Sequence, residues 1–355
     1  MESQSKFMCH IKFPSFVLTL TAILVFGFLV PPVSVAQDSV FTFRKTGGSK
    51  VSGRITGMSP DGITIGDTTV PADDVRRVSY SKEPKEISRA RGQVEAGRFA
   101  DSLEEIGKVK PTGNPMIDQE IDFIKAYATA RLSLRAGTVT AQVAGKAIRE
   151  FINTHPQSYH IYPATEQYGH LLFAFGKPDL AAKQFEALTL SKWLEYRLKG
   201  HFLHGEMMME LGKFADAQKS YEALLANEEN DDLSQSYRLL GKCLQAKAIG
   251  MQGDPKAAIV TLQGIVRDEN PDNKKLFAYL YNSLGLLQEK SGNHKEAALA
   301  YLHTQLLFAT EAEAHSEALY RLALTWRKLE ETDRANESAD NLKSAYRNSY
   351  WAGKL

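Results

Sequence analysis

Cysteine is nearly missing from this chain of 355 residues, with Cys9 and Cys243 the only two. Two thiols cannot build the disulfide framework of a small secreted domain, so the fold rests on apolar packing. Charge of one sign is also lacking, since the formal net charge is only +1. A nucleic-acid binder would carry a basic excess or stripe, and that class is set aside. Reaction signatures are missing too. The chain has no glycine-flanked nucleophile serine, no Gly-x-x-x-x-Gly-Lys loop, no His-Glu-x-x-His and no Cys-x-x-Cys. Acid pairs such as Glu104 with Glu105, Asp231 with Asp232 and Glu330 with Glu331 fall at turns or helix ends, where they read as solvated charge. Nothing here points to an enzyme, a cofactor or a metal.

What is present begins with a long apolar run. Lys6 and Lys12 precede Phe13 to Val30, followed by Pro31, Pro32 and a Ser34-Val35-Ala36 cleavage site. Residues 1–36 read as a signal peptide, which predicts export to the periplasm or cell envelope. An uncleaved anchor is the alternative, because about 18 apolar residues nearly span a bilayer. Cys9 lies before that run, whereas a lipoprotein cysteine would follow it. Cleavage removes Lys6, Lys12 and Glu2 and leaves 41 basic and 41 acidic residues.

Residues 37–82 alternate apolar with polar side chains, the period of strands. The runs are Val40 to Arg44, Lys50 to Met58, Ile63 to Gly66, Thr68 to Val70 and Val75 to Tyr80. Turn signals separate them at Thr46-Gly47-Gly48, Ser59-Pro60-Asp61-Gly62 and Gly66-Asp67. With Gly53 as a bend, the pattern looks like a shortened SH3-like or Sm-like barrel. A core this small leans on its neighbour.

From residue 85 the texture changes to a repeat. Gly97, Gly137, Gly176, Gly212, Gly253 and Gly292, with Glu330 standing in for a seventh, recur every 36 to 41 residues. Seven positions before these anchors lie Ala90, Ala130, Gly169, Gly205, Ala246, Gly285 and Ala323. Five after come Ser102, Gln142, Ala181, Ala217, Ala258, Ala297 and Ala335; nine after come Ile106, Lys146, Phe185, Tyr221, Leu262, Tyr301 and Ala339. Gln142 and Lys146 break the phase, and a two-residue insertion after Gly137 restores it through Ala144 and Ile148. In the fifth unit Leu240 and Gly241 offer a rival register. The physical reading is a helical hairpin turning at the anchor, with small residues permitting close helix approach and Leu172, Met208 and Trp326 filling the seam. No hairpin buries its face alone, so neighbours must stack.

These residues resemble the tetratricopeptide repeat family, best in Gly205-Gly212-Ala217-Tyr221, Leu284-Gly285-Gly292-Ala297-Tyr301 and Gly169-Gly176-Ala181-Phe185. The resemblance spans residues 85–350, with units longer than the usual 34 residues. It implies a mainly α fold, a right-handed α-solenoid of about seven hairpins behind the small β-barrel-like module. It also implies a concave face, lined by first helices, that holds a protein or peptide. Carried over by register, that face holds His170, Phe173, Phe202, Glu206, Met209, Tyr279, Asn282, Glu289, Tyr320, Leu324 and Arg327. The family's carboxylate clamp needs a lysine and an asparagine one turn apart. The aligned places hold Phe202 with Glu206 and Asn282 with Leu286, so that mode is not expected.

Remaining candidates have bland readings. His201 and His204, beside Glu206, have the spacing of a metal pair but face neighbouring helices. His155, His160 and His170 scatter around Pro156 and Pro163 at a helix entry. Cys243 is expected to be buried. The expectation is an exported scaffold that binds a protein or peptide partner. An envelope protein self-associating through its β module, or a glycan- or peptidoglycan-associated module, remains open beside it.

Overall fold

In a computed structural model of the chain, residues 37–42, 48–136 and 139–355 are described. The expected signal segment 1–36 and the Gly137 turn lie outside them. Gln37–Leu355 forms one compact unit, so the strands and helices share a single body.

Six strands come first: β1 (Asp38–Thr42), β2 (Lys50–Gly53), β3 (Ile55–Ser59), β4 (Gly62–Ile65), β5 (Thr68–Pro71) and β6 (Val75–Ser79). They pair antiparallel as two three-stranded sheets, β2-β1-β6 and β3-β4-β5. No ladder joins the sheets among the described residues, so the module is not the closed barrel expected. The run Lys50 to Met58 breaks at Arg54, where the chain passes from one sheet to the other. Asp38 pins that crossing, accepting hydrogen bonds from Ile55 N at 3.1 Å and Ser81 N at 2.8 Å. Val40, Ile55, Ile63, Ile65, Val70 and Val78 form a core continuous with Ile87, Ile106 and Ile117 of the first helices. The module therefore leans on the helical array.

The helices form seven antiparallel hairpins. They are α1 (Lys85–Glu95) with α2 (Phe99–Gly107), α3 (Pro115–Ala136) with α4 (Ala141–Thr154), and α5 (Ile161–Ala174) with α6 (Pro178–Thr189). Then follow α7 (Leu194–Glu210) with α8 (Phe214–Leu225), α9 (Asp232–Gln252) with α10 (Pro255–Asp268), α11 (Lys274–Lys290) with α12 (His294–Leu307), and α13 (Ala312–Lys328) with α14 (Thr332–Ala345). A single turn, α15 (Tyr350–Gly353), ends the chain.

The repeat phase has a direct structural cause. Gly97, Gly176, Gly212 and Gly292 sit at φ between 71° and 78°, the left-handed conformation that ends each first helix. Glu330 adopts the same conformation at φ 63°, alone among the described non-glycine residues. Gly169, Gly205 and Gly285 lie under the rings of Phe185, Tyr221 and Tyr301, where an added Cβ would come within 2.4 Å of a ring carbon. Small residue and aromatic are thus two halves of one contact. In the second hairpin, Ala144 and Ile148 are buried and Gln142 and Lys146 exposed, as the two-residue slip requires.

The fifth hairpin departs. Gly253 has φ −123°, and Asp254 caps a helix that starts on Pro255. Gly241 makes a different contact, approaching Leu224 and Tyr221 O of the preceding hairpin as Gly200 approaches Leu188 and Thr189. Both stand twelve residues before their anchors. The original register therefore holds, and Gly241 marks packing between hairpins.

Two polar clusters flank the β module, one just after its last strand and one at the β3–β4 turn. Buried Arg91 pairs with Glu83 and Glu120, and Glu120 also takes hydrogen bonds from Tyr159 Oη (3.0 Å) and His160 Nε2 (2.9 Å). At the far side, Trp193 Nε1 donates to Pro60 O at 3.0 Å and Lys192 pairs with Asp61.

Candidate functional site

First helices in this array are buried on two sides, because each packs on its own partner and on the next hairpin. The residues left over point inward. They enclose a cavity of about 560 Å³, walled by α3, α5, α7, α9, α11 and α13 and roofed by the chain end from Tyr346 to Lys354. That volume is in the range of ligand pockets.

Apolar and polar side chains alternate around it. Phe173, Leu203, Met207, Met209, Met251, Leu286 and Trp351 supply apolar surface, and Tyr279, Tyr320 and Tyr350 supply rings with polar tips. Three acid-base pairs lie in the wall: Glu206 with Lys247 at 2.8 Å, Glu317 with Arg321 at 3.1 Å, and Glu210 with Lys354 at 2.6 Å. Burial alone would lower the Lys247 pKa, but Glu206 and Glu317 outweigh it and raise it, so Lys247 stays charged. His170 Nδ1 stands 3.3 Å from Glu313, whose side chain is largely exposed. The Arg131 Nε is buried without a hydrogen-bond partner among the described residues. Arg131 and Arg135 lie 5.6 and 5.4 Å over the Phe99 ring.

Of the eleven residues assigned to the groove, His170, Phe173, Glu206, Met209, Tyr279 and Tyr320 line this cavity. Five do not. Phe202 is 2% exposed, packed edge-on against Tyr237 and Tyr279, and Asn282 is 4% exposed, donating to Ala314 O at 2.8 Å. Glu289 accepts from Tyr301 Oη and Thr325 Oγ1, which joins the last two hairpins. Arg327 is exposed away from the cavity, as is half-buried Leu324. Family register placed these five on first helices. It did not distinguish the inward face from the face packed on the next hairpin. Tyr279 itself is only 6% exposed and is chiefly a packing residue.

The cavity's other walls went unanticipated. Glu210 and Lys247 carry no sequence signal beyond ordinary helix charge, Arg321 reads as a cation that could meet an acidic partner, and the cluster Tyr346, Tyr350 and Trp351 follows α14. Three aromatics crowded after the final helix were the available signal. His204 bonds Ser220 Oγ at 2.8 Å within its hairpin, and among the described residues no group of three or more His, Cys, Asp or Glu is placed to hold a metal. Cys243 is buried, and that burial pushes its thiol up to about 12.

Comparison with known proteins agrees with this architecture. The tetratricopeptide repeat family model matches residues 317–349, the last hairpin and its exit. A tetratricopeptide repeat protein of Parabacteroides merdae superposes with a TM-score of 0.53 at 15% identity, covering 74% of this chain and 92% of that one. The fold is that of a tetratricopeptide-repeat solenoid. The tetratricopeptide domain of P58(IPK) matches at 13% identity over 76% of each chain, with a TM-score of 0.27. No curated protein is similar in sequence.

Proposed function

We propose that this protein is an exported interaction scaffold that holds a segment of a protein partner inside the solenoid, against the first helices. The supporting observation is the central cavity, whose walls mix aromatic and methionine surface with paired charge and already hold one stretch of polypeptide. A preformed site of this kind avoids ordering costs on binding. Flexible methionines beside rigid rings suit a side-chain-rich ligand. Export rests on the leader-like residues 1–36 and would place the partner in the periplasm or envelope.

A photo-crosslinking amino acid placed at Met209 tests the site in intact cells, with the same group at Val260, which is 69% exposed on α10, as reference. One discrete adduct from Met209 and none from Val260 is expected. Equal labelling from both positions would sink the reading. A mature protein starting at Gln37 in the exported fraction is the expected companion result.

A further inference from the structure

The chain end inside the cavity makes contacts of two kinds. Trp351 does chiefly what a terminal cap does, packing on Leu319 and Leu342 of the seventh hairpin it follows, with its ring also edge-on to Phe173 at 6.3 Å. The residues around it reach elsewhere. Asn348 Nδ2 donates to Ser133 O and Val139 O, both at 3.1 Å, at the end of α3 and the start of the next turn. The Tyr350 ring stacks on Phe173 of α5, with centroids 4.2 Å apart. Tyr350 Oη and Lys354 Nζ both donate to Glu210 Oε1 of α7, each at 2.6 Å. A cap needs to cover only its neighbour. These contacts instead cross to the second, third and fourth hairpins.

Among the described residues, Phe173 finds its ring contacts in Tyr350 and Trp351 and Glu210 finds its hydrogen-bond donors in Tyr350 and Lys354, with the Arg321 guanidinium of α13 adding to the positive field at Glu210. Glu210 is little exposed, and its two donors are the only hydrogen-bond partners it has among the described residues. With Tyr350 and Lys354 withdrawn, a shielded carboxylate would lack its hydrogen-bond donors and the Phe173 ring would lose its stacked partner, a costly combination. Any occupant must bring a ring for Phe173 and a cation or strong donor for Glu210. On Tyr350 and Lys354 these stand four residues apart, one helical turn, on one face. An acidic segment would meet Glu210 with like charge.

We infer that Phe173 and Glu210 form a docking site for a partner helix presenting an aromatic residue and, one turn later, a lysine or arginine, and that the chain's own Tyr350 and Lys354 occupy it until displaced. This rests on the reading of the cavity as a partner site. Tethering gives the internal segment an effective concentration of about millimolar, so weak external ligands are excluded and well-matched ones compete.

The test uses the full chain carrying Tyr350→Ala and Lys354→Ala, with Trp351 kept as cap, and a fluorescein-labelled peptide of residues 346–355 whose Trp351 is replaced by alanine. Anisotropy should show binding at least tenfold tighter to this variant than to the unaltered chain. A further Glu210→Gln should weaken it about tenfold, and a scrambled peptide should not bind. A variant of unchanged helix content that ignores the peptide, or binds the scrambled one equally, overturns the inference, as does equal binding by the unaltered chain. Should the variant misfold, a protease site inserted between Tyr346 and Arg347 and cut after folding serves instead. Labelled wild-type peptide should then enter cut protein and not uncut protein, and failure to enter cut protein is equally decisive. A Met209 crosslink that persists while the peptide fails would sink this inference and leave the scaffold reading standing.

Discussion

Gly285→Ala should destabilise the protein although alanine is the better helix former. An alanine Cβ there would stand 2.4 Å from Tyr301 Cε1 and 2.6 Å from Cζ. Carbon atoms prefer about 3.5 to 4.0 Å, so the ring must retreat by about 1 Å. It has nowhere to go, since Tyr301 is fully buried and its hydroxyl is held 3.2 Å from Glu289. Overpacking of this kind costs about 1 to 3 kcal/mol. Against it stands about 0.8 to 1 kcal/mol of helix propensity. The net is a loss of up to about 2 kcal/mol, or up to roughly 8 °C in Tm. Gly264 in α10 is the internal control, because nothing lies closer to its added Cβ than Arg267 Nη2 at 4.0 Å. Gly264→Ala should stabilise by about 0.5 to 1 kcal/mol. Urea unfolding of both, with Tyr301→Val in a double-mutant cycle, separates clash from propensity, and a coupling of about 1 kcal/mol or more is expected. If Gly285→Ala stabilises as Gly264→Ala does, the close approach is not what the glycine is for.

Glu330→Gly should raise stability by about 0.5 to 1 kcal/mol, since it relieves a left-handed side chain at a cost in unfolded-state entropy; an unchanged urea midpoint would contradict this. Arg91→Met should cost about 3 to 5 kcal/mol, because it strands Glu83 and Glu120 in a buried setting, and a loss under 1 kcal/mol would mean that water already reaches them. Burial holds His160 below its ordinary 6.5, outweighing the attraction of Glu120. Burial alone would raise Glu120, but His160 and Arg91 hold it well below the carboxylate range. Both groups bind fewer protons folded than unfolded, so their contribution is present above the unfolded values and lost as pH falls. Tm should decline below pH about 6.5 and more steeply below about 4.5, with Glu120→Gln losing the lower limb; a flat profile from pH 7 to 4 would refute it. Cys243 should resist alkylation at neutral pH until the protein unfolds, and rapid labelling of native protein would show that its helix opens.

The hairpins were readable from sequence because one contact recurs. A glycine at the turn needs a left-handed φ, a small residue must fit beneath an aromatic, and both demands leave a fixed interval that Gly205, Gly212 and Tyr221 display. The site was only partly readable. Phe202 and Glu206 share a first helix one turn apart, yet one faces Tyr237 and the other Lys247. Spacing along a helix cannot separate those faces when both neighbours are themselves helices of the same repeat. The β module shows a related limit. Alternation located its strands, but whether Lys50 to Met58 is one strand or two depends on Arg54 changing sheets, and no periodicity encodes that.

The chain end was unreadable for a different reason, and it bears on how the array holds together. In a stack with nearest-neighbour coupling the terminal unit is the first to fray. The seventh hairpin is poorly equipped to resist, since α14 buries only Ala335, Ser338, Ala339 and Leu342. Trp351 compensates by seating on Leu319 and Leu342 and is itself only 8% exposed. Its removal should therefore act locally. Trp351→Ala costs about 3 to 5 kcal/mol at a well-packed site, equivalent to about a hundred- to a thousandfold or more in opening. Native-state hydrogen exchange should show the amides of α14 losing protection on that scale while those of α7 change little. If α7 loses protection in step with α14, the solenoid unfolds as one cooperative block, and the bridge from Tyr350 and Lys354 to Glu210 couples the last hairpin to the fourth more tightly than neighbour contacts alone would.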